Sequence, residues 1–312
     1  MITAVTLNPC IDLTVTVPGF VLRQLNMIDT CRTDISGKAV NAARVLGELG
    51  TPAMCTGISF SANHAELAAR LDSLGIAHDF VIAPGSIRTN IKVHDSAANT
   101  MTEINSRGDK VSPELLETAC AKIVELAAKS EMAVMSGRIP NGAKDSIYRT
   151  LMQKIHGLNP SCKIVVDAER GALAEALRAR PFLIKPNLYE LGVSFGRNAD
   201  TIPEILSVCG WVISSGAQIC CVSMGGRGAL IASREGAFHA NALDITPRGF
   251  QGAGDSMVAG ICKAVTEGLP LPDMLRYGIA AASASIIREG TQLCRRGDFE
   301  EMLPKVKAEQ VG

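Results

Sequence analysis

Met132-Ala-Val-Met-Ser136, a helical pattern over 144–156 and Lys163-Ile-Val-Val-Asp167 form the stretch on which the fold turns. Each flanking run is short and apolar almost throughout, too uniform to leave one face in water. A strand, a crossover helix and a second strand set the two strands parallel in one sheet. The same alternation continues outward in both directions. Further strands are expected at Ala53 to Ile58, Phe182 to Ile184 and Ile219 to Met224, and further helices at 38–49, 62–74, 112–128, 201–215, 272–287 and 297–308. The helix from Lys38 to Leu49 repeats apolar residues at Val40, Ala43, Leu46 and Leu49, then stops at Gly50 with Pro52 just beyond. The pattern predicts an α/β fold: a mostly parallel central sheet covered by helices on both faces, three layers in all.

Two stretches break the alternation, Ile11 to Ile35 and Ile87 to Asn105. In the second, Ile87-Arg-Thr-Asn-Ile-Lys-Val-His and Thr100-Met-Thr-Glu-Ile-Asn show the period-2 polarity of strands without helical partners. Such strands are expected to pair antiparallel in a small separate sheet, a lid over the C-terminal edge of the main sheet, where open α/β folds bind ligands. No internal repeat or Pro/Gly/Ser linker divides the chain, so residues 1–312 read as one domain with its lid.

The 31 basic and 31 acidic side chains balance among 312 residues, which argues against a polyanion-binding surface and against nucleic acid as a partner. The start, Met-Ile-Thr-Ala-Val-Thr-Leu-Asn, lacks a basic segment followed by an apolar one, and no window approaches the roughly 18 apolar residues of a membrane span. A soluble cytoplasmic protein is the expectation. Ten cysteines, several in apolar runs such as Ile219-Cys220-Cys221-Val222, suit small buried hydrophobes in a reducing compartment. No Cys-x-x-Cys pair occurs, and the histidines lack metal-ligand spacing.

The richest chemistry lies in Gly249-Phe-Gln-Gly-Ala-Gly-Asp-Ser-Met-Val258. Gly252, Ala253 and Gly254 let backbone N–H groups converge, and the apolar helix that follows adds its positive end, which together make an anion site. Asp255, ionised beside it, is placed to take a proton from a substrate hydroxyl while the amides stabilise charge on a transferring phosphoryl group. A plain helix start also fits these residues. A Walker A loop fails, since Ser36-Gly37-Lys38-Ala39 has the Gly-Lys pair without the upstream glycine or the hydroxyl, and a dinucleotide fingerprint fails at Met257.

Other segments offer partners. Lys185-Pro186-Asn187-x-x-Glu190 starts a helix after a strand; it reads equally as a capping box and as a carboxylate holding a water of hydrated Mg²⁺ beside nucleotide phosphates. Ser223, Gly225 and Gly228 form a glycine turn between two strands, an ordinary hairpin or a place for close approach of a nucleotide. Asn8, Asp12, Lys38, Asn41, Arg88, Asn90 and Lys92 supply a second, sugar-binding face, with 88, 90 and 92 on one side of a strand. Two cations flanking an amide suit a phosphate. Ser136-Gly137-Arg138 ends another strand with a hydroxyl and a guanidinium for the same pocket.

In this order the segments resemble the PfkB branch of the ribokinase-like sugar kinases, in particular the 1-phosphofructokinase and tagatose-6-phosphate kinase group. The resemblance rests on Thr6-Leu-Asn-Pro-Cys-Ile-Asp12, Gly37-Lys38 with Asn41, Arg88-Thr-Asn90-Ile-Lys92, Thr102-Glu-Ile-Asn105, Ser136-Gly137, Lys185-Pro-Asn187-x-x-Glu190, Ser223-x-Gly225-x-x-Gly228 and Gly252-Ala-Gly-Asp255-Ser. It implies a ribokinase-like fold, Asp255 as base, and the amides from Gly252 to Asp255, including Ala253 and Gly254, as anion hole. Lys185, Asn187 and Glu190 would organise Mg²⁺ and phosphates, Glu190 through a water. Ser223, Gly225 and Gly228 would line the ATP site, and Asp12, Gly37, Lys38, Asn41, Arg88, Asn90, Lys92, Ser136 and Arg138 the phosphosugar site. A lid that closes on substrate and often pairs across a homodimer is implied too.

Three departures from the family pattern stand out: Ser36 and Ala39 around Gly37-Lys38, Arg138 in place of a serine, and Arg248-Gly-Phe-Gln251 before the anion hole. The expected activity is ATP-dependent phosphorylation of a ketohexose monophosphate, first fructose 1-phosphate at O6, then tagatose 6-phosphate. A sugar-phosphate sensor without turnover and a kinase for neutral sugars or nucleosides are the other readings.

Overall fold

The computed structural model describes residues 1–249, 251–288 and 292–312, so Phe250 lies outside the described residues. Seven strands run parallel: β1 (Ile2–Thr6), β4 (Ala53–Phe60), β5 (Ala77–Ala83), β8 (Met132–Ser136), β9 (Lys163–Asp167), β10 (Leu183–Ile184) and β11 (Ile219–Ser223). Three more, β12 (Ala229–Ser233), β13 (Gly236–Ala240) and β14 (Glu309–Gln310), extend one edge antiparallel. The resulting order is β14-β13-β12-β11-β10-β9-β8-β1-β4-β5. Gly57, at φ 131, sits so close to Thr6 of the neighbouring strand that a Cβ there would collide with the Thr6 carbonyl oxygen.

Side chains alternate across this sheet into two cores. Met132, Val134, Val165, Leu183, Ile219, Cys221 and Ile231 face one core, whereas Ala133, Met135, Ile164, Val166, Ile184, Cys220 and Val222 face the other. The first is closed by α8 (Ala253–Thr266), α9 (Leu271–Ile286) and α10 (Arg296–Met302). The second is closed by α2 (His64–Asp72), α3 (Pro113–Ala127), α4 (Ile147–Leu158), α5 (Arg170–Leu177) and α7 (Ile202–Ser214), with α6 (Leu188–Phe195) contributing Leu191. Helix α1 (Lys38–Glu48) gives residues to both and ends at Gly50, whose φ of 76 is left-handed. This is the three-layer α/β/α arrangement expected of the sequence.

The two breaks in the alternation become a four-stranded sheet of β2 (Cys10–Val17), β3 (Thr30–Ser36), β6 (Arg88–Asp95) and β7 (Thr100–Asn105), in the order β3-β2-β6-β7. The expectation of antiparallel pairing needs one correction: β2 and β6 run parallel. The chain between them passes through β4, α2 and β5, a crossover long enough to bring β6 back in the same direction. The helix expected over 297–308 also ends early, at Met302, because Pro304 cannot continue it; a 3₁₀ turn and β14 follow.

Candidate active site

The C-terminal ends of the parallel strands and the inner face of the small sheet enclose a cavity of about 1010 Å³. Thr6 ends β1, Asp167 ends β9, Ser223 ends β11, and Gly137 and Lys185 each follow a strand directly; all of them line it. From the small sheet come Asp12, Arg88, Asn90 and Lys92, with Glu103 and Asn105 of β7. The start of α8, Gly252 to Asp255, forms a further wall.

Gly252 caps α8 in a left-handed conformation, φ 71, and a Cβ there would run into Leu293. Among the described residues no side chain caps this helix, so its first amides are left for another acceptor. The space of a Cβ at Gly254 lies 3.5 Å from Lys185 Nζ, which places an ammonium group beside those amides. Asp255 is buried, and its Oδ2 accepts from Asn41 Nδ2 at 2.8 Å. Burial first, then the Asp167 charge, pushes its carboxyl up to about 6, against Lys38, Asn41 and Lys185. Asp255 is therefore ionised at neutral pH, though far less acidic than the sequence alone suggested.

Asp167, buried at the end of β9, was not picked out as a site residue, yet it organises this region. Its Oδ1 accepts from Lys38 Nζ at 3.0 Å and lies 3.6 Å from Lys185 Nζ, while its buried Oδ2 has no partner among the described residues. Burial opposes its charge, but Lys185 and Lys38 outweigh that and hold the carboxyl below its ordinary value. The available signal was an aspartate closing a central parallel strand, where such folds place ligands. Lys38 also donates to Glu190 Oε1 at 3.2 Å. Burial works to lower its pKa, but Asp167, Glu190 and Asp255 raise it, so it stays charged.

Asn187 and Glu190 form the capping box of α6: Asn187 Oδ1 accepts from the Glu190 amide at 2.8 Å, and Glu190 Oε2 from the Asn187 amide at 2.9 Å. Capping leaves Glu190 Oε1 turned to Lys38, so the structural and the site readings of this motif coexist. Asn187 bridges to Ser223, which carries the β10 and β11 pairing into the cavity wall. Gly225 opens a 3₁₀ turn there and Gly228 follows it; a Cβ on Gly228 would strike the Ala240 carbonyl oxygen.

Two expectations need correction, the first on the small sheet. Lys92 Nζ donates to Asp12 Oδ2 at 2.9 Å and Asn90 Nδ2 to Asp12 Oδ1 at 3.0 Å. Burial opposes the Asp12 charge, yet Lys92 leads the groups that hold its pKa below the ordinary value. The Lys92 charge is thus already met, and only Arg88 of the expected cation pair remains for a ligand. Arg88 donates to Asn90 Oδ1, Asn8 O and Ser106 O, and among the described residues its Nη2 has no partner. Arg138 donates from Nε to Glu169 Oε1 at 2.8 Å at the cavity wall, and among the described residues neither terminal nitrogen has a partner. The second correction is Ser136: its buried hydroxyl donates to the Asp167 carbonyl at 3.3 Å and does not line the cavity. Gly37, Lys38 and Asn41 do line it, as does Ser36.

A sequence profile of the pfkB family carbohydrate kinases matches residues 5–296. The chain belongs to the PfkB family. A PfkB carbohydrate kinase is a phosphotransferase with an alcohol group as acceptor, which agrees with a buried carboxylate beside the amides at the start of α8. This PfkB kinase is similar to a protein named 1-phosphofructokinase from Borreliella burgdorferi, 32% identical over 100% of this chain and 99% of the relative. It is similar to one of the same name from Rhodobacter capsulatus, 31% identical over 94% and 92%. Phosphofructokinase-2 from Escherichia coli, crystallised with potassium, superposes with a TM-score of 0.90 at 25% identity over 98% of both chains. Among the described residues no helix is long and apolar enough to cross a membrane.

Proposed function

We propose that this PfkB kinase transfers the terminal phosphoryl group of ATP to a ketohexose monophosphate, foremost to O6 of fructose 1-phosphate. The observation that carries the reading is the meeting, in one cavity, of the Asp255 carboxylate, the uncapped amides of α8 and the partly unspent guanidinium groups of Arg88 and Arg138. The names borne by the Borreliella and Rhodobacter relatives point to the same acceptor.

In this reading the acceptor hydroxyl gives its proton to Asp255 as it attacks, and the amides of Gly252, Ala253 and Gly254, with Lys185, take up charge on the transferring group. Asn41 holds the Asp255 carboxylate in place through its hydrogen bond. Asp12, braced by Lys92 and Asn90, presents a fixed acceptor to sugar hydroxyls, and Arg88 with Arg138 binds the phosphate already on the sugar. Ser223, Gly225 and Gly228 line the nucleotide side. Mg²⁺ fits the donors present: Glu190 Oε1, through a water, and the unpartnered Asp167 Oδ2 offer the hard oxygens it prefers. When bound, it would neutralise nucleotide phosphates.

The test is ADP release measured with fructose 1-phosphate, tagatose 6-phosphate, fructose 6-phosphate, fructose and ribose. The highest kcat/KM on fructose 1-phosphate is expected. Preference for tagatose 6-phosphate would move the assignment to that sugar, preference for fructose or ribose would overturn the phosphosugar assignment, and absence of turnover with every acceptor would favour a sensor.

The outer face of the small sheet supports a second copy of this chain as partner. Ile104 of β7 stands beside Ile91 of β6 on the side away from the cavity, and in the loop between β2 and β3 Leu25 is 88% exposed, Leu22 77% and Met27 71%. Apolar surface of this kind marks an interface rather than a solvated lid.

A further inference from the structure

A second cavity, of about 810 Å³, opens at the opposite edge of the central sheet. Lys163 begins β9, Phe182 precedes β10 and Ile219 begins β11, and all three line it, while the far ends of the same strands line the first cavity. The two spaces thus lie at opposite ends of the same strands.

Three cations stand around the second cavity, Lys163, Arg180 and Arg234, against one carboxylate, Glu235. Among the described residues none of the three cations takes part in an ion pair. Lys163 Nζ lies 5.4 Å from the centre of the Phe182 ring, so its charge rests over an aromatic face rather than beside an acid. Phe182, Leu271 and Met274, half-buried, add an apolar lining.

Arg180 supplies an independent sign. Its φ of 57 is left-handed, just past the end of α5, where glycine would sit without strain and another residue costs about 1–2 kcal/mol. Opposite it, Gly216 leaves the room that the Arg180 stem occupies: a Cβ on Gly216 would lie 3.3 Å from Arg180 Cγ. A strained backbone that keeps a guanidinium at a cavity rim points to a use for that side chain.

We propose that this second cavity is a binding site for a small phosphate-bearing metabolite whose apolar body packs on Phe182, Leu271 and Met274. A phosphate ester carries close to two negative charges, matches guanidinium and ammonium donors in geometry, and fits a cavity of this size. The site is separate from the one assigned to ATP and acceptor and does not depend on which sugar is phosphorylated.

Phenyl phosphate, titrated calorimetrically into the intact protein, tests the proposal. Wild type and Arg88→Ala, a variant of the first cavity, should bind it alike, and both should bind it more tightly than inorganic phosphate. Arg180→Gly should fold at least as well as wild type, since glycine relieves the left-handed residue, yet bind about tenfold more weakly, as should Lys163→Ala. Without the probe, kcat and KM of these two variants should match wild type. Unchanged binding in Arg180→Gly and Lys163→Ala, loss confined to Arg88→Ala, or no binding at millimolar phenyl phosphate would overturn the site. Equal affinity for phenyl phosphate and inorganic phosphate would overturn the apolar subsite.

Discussion

In the proposed mechanism Asp255 meets two opposed demands, because burial beside Asp167 raises its pKa while taking a proton needs it ionised. With the carboxyl near 6, kcat/KM should fall as pH drops through about 6; a rate flat down to about pH 4.5 would mean that another group takes the proton. Asp255→Asn should reduce kcat about 10²- to 10⁴-fold, and near-normal turnover would remove it from the chemistry. The same charge weakens the fold. Its folded value of about 6 exceeds the ordinary 3.8, so between the two the folded chain keeps a proton that the unfolded chain has released. Stability thus falls as pH rises through that window, by about 3 kcal/mol at 1.36 kcal/mol per unit. Asp255→Asn should melt higher than wild type at about pH 8, and the two should converge near pH 4; identical melting at both would show that burial exacts no penalty there. Asp255, Lys38, Asn41 and Glu190 were legible in the sequence because glycine turns and helix starts flag them locally. Asp167 and the Arg138–Glu169 pair were not: strand ends 31 residues apart must first become neighbours in the sheet.

Helix α8 holds the proposed anion hole only as firmly as it is packed, and it is packed on α9 through glycine. A Cβ on Gly260 would strike the Tyr277 carbonyl oxygen, and one on Gly278 would lie 2.9 Å from Ile261 Cγ1. Gly260→Ala should therefore destabilise by about 1–3 kcal/mol, despite alanine's better helix propensity, and lower kcat as the start of α8 shifts. Gly210→Ala on α7, where nothing lies within 4 Å, should instead stabilise by up to about 1 kcal/mol. Denaturant melts of the two variants compare the signs directly; a stabilised Gly260→Ala would mean that the helices are not in tight contact. Elements with strong local signals, such as α1 with its Gly50 stop, were readable from the chain. Helix α5 was not: it spans eight residues, lacks a side-chain cap and starts from Arg170 at φ 56, so neither period nor punctuation announces it.

At the scale of the molecule, the exposed Leu22, Leu25, Met27 and Ile104 predict that the small sheet joins two chains. Light scattering behind a sizing column should give twice the chain mass for wild type and the chain mass for Leu25→Asp with Ile104→Asp; a wild-type monomer would refute the pairing. The alternation of strands and helices foretold the three layers, but not the direction of β6 beside β2, since register across some 80 residues leaves no local trace. That parallel pair has a consequence for anyone wishing to transplant the cover. It is no cassette: its halves enter at separate points of the chain and register only after β4 and β5 have been laid down beside β1. Exchanging it between kinases would require two coordinated insertions, and a chain cut between them would lose the roof of its pocket.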